Sequence, residues 1–61
     1  MGRLFLHEYI SDQKTAQVYR DLNTGKFWVL GFQGSEQWIN EEFITESSAE
    51  DFAEDWTLQP R

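Results

Sequence analysis

Two adjacent carboxylate pairs, Glu50-Asp51 and Glu54-Asp55, stand in the run AEDFAEDW (residues 49–56) with no basic residue among them. Acids at this spacing can hold a hard cation, exchange protons with a substrate, or dock on a basic surface. The first use needs a ring of oxygens on a turning loop, and no segment has the calcium-loop pattern with its obligatory glycine, so no metal site is expected. The second needs partners of matched chemistry. His7 is the only histidine and there is no cysteine, so neither a structural zinc site nor a thiol nucleophile is expected. The sequence also has no glycine-rich phosphate loop and no nucleophile elbow, and a domain this small leaves no room for a deep pocket. The chain is therefore read as a non-enzyme without cofactors, and His7 as an ordinary strand residue beside Tyr19. The third use remains. Glu50, Asp51, Glu54 and Asp55 would form an acidic ridge, extended by Glu41, Glu42 and Glu46, or else a solvated face that keeps the protein soluble.

The charge balance agrees with the ridge. Residues 1–30 carry four basic and three acidic groups, a net of +1, whereas residues 31–61 carry eight acids and only Arg61, a net of −7 within a total of −6. Such a block repels phosphate, which argues against direct nucleic-acid binding, and attracts basic protein surfaces. No stretch has the length of a membrane span or a secretory signal. The opening MGRLFL has the glycine for myristoylation but Leu6 where Ser or Thr is needed. The expected location is the cytoplasm.

These acids need a scaffold, and 61 residues make one small domain, 1–61. A chain of this size buries only about 60% of the surface its unfolded form exposes, so its stability is marginal. Without disulfides or metal, the support must come from an aromatic core, from self-association, or from both. Aromatic and branched residues alternating between turn signals predict four strands, at about 3–10, 15–22, 26–33 and 36–45. Ser47 or Ser48, each followed three residues later by an acid, predicts a helix over about 48–57 with the apolar stripe Ala49, Phe52, Ala53 and Trp56. Pro60 would end it. The fold class is α+β: a four-stranded antiparallel meander with one C-terminal helix on one face (ββββα).

Turn lengths fix the register, and register fixes the faces. A three-residue NTG loop (23–25) sets Tyr19 opposite Val29. A two-residue GS turn (34–35) sets Gly31 opposite Trp38. A three-residue turn at 12–14 sets His7 opposite Tyr19. The helix would then cover Leu4, Leu6, Ile10, Ala16, Val18, Leu22, Trp28, Leu30, Phe32, Ile39 and Phe43, with Glu8 and Arg20 as a rim ion pair. The open face would carry Phe5, His7, Tyr9, Tyr19, Phe27, Val29 and Trp38, with Trp38 folded over Gly31. An uncovered apolar face of that kind marks an interaction site. It predicts a protein-binding module, a homodimer through these residues.

VYRDLNTGKFWV followed by SSAEDFAEDW resembles small proteins encoded by bacterial viruses, notably those of marine cyanobacteria, in which a short antiparallel sheet precedes a helix of this type. The resemblance covers roughly residues 16–57 and brings no catalytic residues with it. It implies a phage-encoded protein made in the host cytoplasm that binds and modulates a host protein. The alternative is a nucleic-acid mimic, in which the acidic helix imitates the spacing of phosphates and blocks a host enzyme that binds DNA or RNA.

Overall fold

The computed structural model describes residues 2–58. Four strands, β1 (Arg3–Ser11), β2 (Lys14–Asp21), β3 (Phe27–Gln33) and β4 (Glu36–Phe43), precede one helix, α1 (Glu46–Leu58). The strands form one open antiparallel sheet in the order β1-β2-β3-β4, and α1 packs across one face of it. The expected ββββα meander is thus the fold.

The turns that join the strands decide which side chains meet the helix. Between β3 and β4, Gly34 adopts φ 64° and opens the expected two-residue turn, pairing Gln33 with Glu36. The β1–β2 turn is shorter than expected. Asp12 takes φ 52°, and Ser11 pairs with Lys14, leaving only residues 12 and 13 between them. The β2–β3 loop is longer. The Asp21 carboxylate accepts hydrogen bonds from the backbone of Asn23 (2.8 Å) and Thr24 (3.3 Å), while the Gly25 N–H donates to the Asp21 carbonyl (2.8 Å). The loop therefore starts at Leu22 and holds four residues, so that Arg20 pairs with Phe27 and Val18 with Val29.

That single extra residue turns β3 over, because strand side chains alternate with period two. Phe27, Val29 and Gly31 lie on the helix side; Trp28, Leu30 and Phe32 lie on the other. Two bulges complete the rearrangement. One at Leu6 lets Phe5 stay with Tyr19 on the open face while His7 and Tyr9, expected there, pair with Val18 and Ala16 on the helix side. The other, at Trp38, pairs Gly31 with Ile39 instead of Trp38 and keeps Ile39 and Phe43 under the helix. Leu4, Ile10 and Leu22, expected in the core, are all at least half exposed. The expected Glu8–Arg20 ion pair is absent among the described residues because the two face opposite sides. Gln17 donates to Glu8 (3.2 Å), and the Arg20 guanidinium lies 5.9 Å from the centre of the Phe27 ring.

The core is small at its centre and aromatic at its margin. Ala16, Val18, Val29, Ala49 and Ala53 are fully buried, ringed by Leu6, Tyr9, Phe27, Ile39, Phe43, Phe52 and Trp56. Small residues on both sides let the helix approach the sheet closely. At Gly31 the approach leaves no room for a side chain: a Cβ there would lie 2.8 Å from Ile39 and 3.0 Å from Trp56.

The helix starts two residues before the expected position because Thr45, not Ser47 or Ser48, caps it. The Ser48 N–H donates to the Thr45 hydroxyl (3.2 Å), and the Ala49 N–H donates to the Thr45 carbonyl (3.2 Å). The stripe Ala49, Phe52, Ala53 and Trp56 faces the sheet as its spacing predicts, joined by buried Thr57. At the other end Lys14, a β2 residue that is 7% exposed, donates from Nζ to the Trp56 carbonyl (3.2 Å) and sits 5.1 Å from the Trp56 ring centroid. A cation at a helix C-terminus is stabilised by the negative end of the dipole. Pro60, expected to stop the helix, lies outside the described residues.

Candidate functional site

The face left open by α1 is aromatic, with a membership different from that expected. Phe5, Tyr19 and Trp28 lie in one row across β1, β2 and β3, with Phe5 pairing Tyr19 and Tyr19 pairing Trp28. The Phe5 and Tyr19 rings meet edge to face at 5.5 Å, and the Arg3 guanidinium stacks 4.7 Å from the centre of the Trp28 ring. Leu30 and Phe32 extend the apolar surface along β3. Polar groups fence it: the Tyr19 hydroxyl donates to Gln17 (2.9 Å), which donates in turn to Glu8. Trp28 Nε1 is buried and has no hydrogen-bond partner among the described residues.

Of the seven residues expected on this face, Phe5 and Tyr19 are there. His7, Tyr9, Phe27 and Val29 are on the helix side, and Val29 is fully buried. Trp38 is the bulged residue of β4 and is 60% exposed. Trp28, Leu30, Phe32 and Arg3 were missed. The signal that could have found them is Asp21, whose side chain serves its own turn as Asp does in Asx-turns and so begins the loop one residue early. Its carboxyl is held below the ordinary 3.8, first by the Asn23 N–H, with Thr24, Trp28 and Arg3 assisting and burial opposing.

The acidic ridge is divided by the fold. Glu50 turns toward β1, where its Oε2 lies 2.7 Å from His7 Nε2; Glu46 Oε2 lies 3.7 Å from the same nitrogen. Glu46 and Glu50 crowd one another, so the hydrogen bond they share and then burial raise the Glu50 carboxyl above its ordinary 4.5, against the pull of His7. Tyr9, beside His7 with ring centroids 6.4 Å apart, is also raised, by burial first and then by the charge of Glu50, Glu54, Asp51 and Glu46. Asp51, Glu54 and Asp55 remain exposed, have no basic partner among the described residues, and flank an open concavity of about 480 Å³ floored by Phe52 and Leu58.

The chain has no match among protein-family models, curated proteins or solved structures. No helix among the described residues is long and apolar enough to cross a membrane. The geometry comprises an aromatic open sheet face, an acidic outer side of α1, and a His–Glu–Glu cluster between α1 and β1.

Proposed function

We propose that this protein is a small, acidic, non-enzymatic protein-binding module that self-associates through its open sheet face and, as a phage-encoded product in the host cytoplasm, modulates a host protein. The observation that carries this reading is the row Phe5–Tyr19–Trp28, continued by Leu30 and Phe32, on a face that no element among the described residues covers. A sheet face meeting water is normally polar, and a chain this short gains the burial it lacks by pairing that face with a second copy. Sedimentation velocity across the micromolar range is expected to show a concentration-dependent dimer. Leu30→Glu, which places a charge mid-face without entering the core, should leave a monomer with an unchanged circular dichroism spectrum. A strict monomer at high micromolar concentration counts against the reading.

A second reading, the nucleic-acid mimic, is favoured by Asp51, Glu54 and Asp55, which stay exposed on α1 with no basic partner among the described residues. It requires salt-sensitive binding to a nucleic-acid-binding enzyme. Neutralising Glu50, Asp51, Glu54 and Asp55 together as amides should abolish that binding. Retained binding rejects the mimic and leaves the sheet face as the docking surface.

A further inference from the structure

We infer that His7, Glu46 and Glu50 form a three-ligand surface site for a divalent transition metal of the zinc class, bridging β1 and the first turns of α1. The donor atoms, one imidazole nitrogen and one oxygen from each carboxylate, all lie within 4.8 Å of one another. His7 Nε2 is 2.7 Å from Glu50 Oε2 and 3.7 Å from Glu46 Oε2. Bonds of about 2.0–2.1 Å to a tetrahedral zinc ion set neighbouring donors about 3.3 Å apart. The two separations from His7 straddle that value, and the carboxylate pair lies within 4.8 Å, so small side-chain rotations bring the three donors onto one ion.

The ligands come from two elements that the core holds in place. Glu46 and Glu50 are one helical turn apart on a segment capped by Thr45 and anchored between them by fully buried Ala49. His7 is aimed at them by the bulge at Leu6, which places it opposite Val18 on the helix side. Charge favours a dication. The two carboxylates face a single imidazole, and the other titratable groups acting there are Asp51 and Glu54 of α1 and Tyr9 of β1, with no described Lys or Arg paired to either glutamate. The positive end of the helix dipole opposes a cation at this position, so donor bonds must supply the affinity. Nitrogen in the donor set selects a zinc-like ion over calcium or magnesium, which prefer all-oxygen sites. Three protein ligands leave the remaining position to water.

The test is titration of the full chain with zinc chloride near neutral pH, read by the ring-proton resonances of its one histidine and by calorimetry. One equivalent is expected to saturate the histidine shift, with proton release that grows as the pH is lowered. Calcium at equal concentration should not compete. His7→Ala, Glu46→Gln and Glu50→Gln are each expected to weaken zinc by about tenfold or more, while Asp55→Asn, an exposed residue of the same helix outside the groups acting at the cluster, leaves affinity unchanged. An unmoved histidine resonance, or Glu46→Gln and Glu50→Gln variants that bind as the parent does, overturns the site and assigns any bound zinc to diffuse attraction by the acidic helix. The resonance measurement needs no variant, so a failure of His7→Ala to fold does not remove the test.

Discussion

Gly31 shows how little a single position can yield. It lies where β3, β4 and the helix converge, and a methyl group there meets Ile39 and Trp56 at 2.8 and 3.0 Å. Gly31→Ala should destabilise the protein by about 1–3 kcal/mol, the range for overpacking a closed core; urea unfolding measures it, and a neutral result means the helix stands farther off the sheet. Asp21 acts through charge instead. Its carboxyl is more acidic in the folded chain than its ordinary 3.8, so the unfolded chain takes up the proton first as pH falls. The stability Asp21 contributes is therefore present above about pH 4 and disappears as pH drops through the lower folded value. Asp21→Asn keeps an acceptor for the turn and removes the titration. Melting temperatures of parent and variant should differ near neutrality and converge as the pH falls through the lowered folded-state value. A gap that stays constant with pH sinks this assignment.

The ends of α1 are held by residues from outside it. At the N-terminus the cap is Thr45. Thr45→Ala should cost about 1 kcal/mol, whereas Ser47→Ala, at the position the capping-box pattern favoured, should lie within about 0.5 kcal/mol of the parent. Reversal of that order in thermal unfolding would move the cap. At the C-terminus no basic residue of the helix itself faces the last turn, and Lys14 reaches across from β2 to the Trp56 carbonyl. Lys14→Met retains the apolar stem and loses the donor, so about 1–2 kcal/mol should be lost. Faster amide exchange confined to the last turn of the helix distinguishes this from general loosening.

For the molecule as a whole, the length of one loop decides which rings are buried. Four residues between Asp21 and Lys26 put Val29 and Phe27 under the helix and leave Trp28, Leu30 and Phe32 outside. Deleting Leu22 leaves the three-residue NTG loop and pushes Trp28, Leu30 and Phe32 toward a space now filled by Phe27, Val29 and bare Gly31. That volume does not fit beneath Ala49 and Ala53. The deletion should abolish a sharp thermal transition while leaving strand signal in the far ultraviolet; a cooperative melt like the parent's means the strand does not turn over. The same loop sets the composition of the open face, so the proposed self-association depends on it.

Period-two alternation and turn residues made the four strands legible, and the spacing of Ala49, Phe52, Ala53 and Trp56 identified both the helix and the side it buries, because these are local properties of the backbone. That one sheet face would stay apolar was legible as well, since the chain has more rings than a single helix can cover. Which rings those are was not. Face assignment depends on the parity of a loop and on two bulges, and each is settled by how well opposing surfaces fit, with Ala, Val and Gly admitted to the tight centre and Trp28 excluded. His7 beside Glu46 and Glu50 was hidden for a related reason. Two parts of the chain some forty positions apart in sequence become neighbours only when α1 lies back across β1, and no local pattern encodes that meeting.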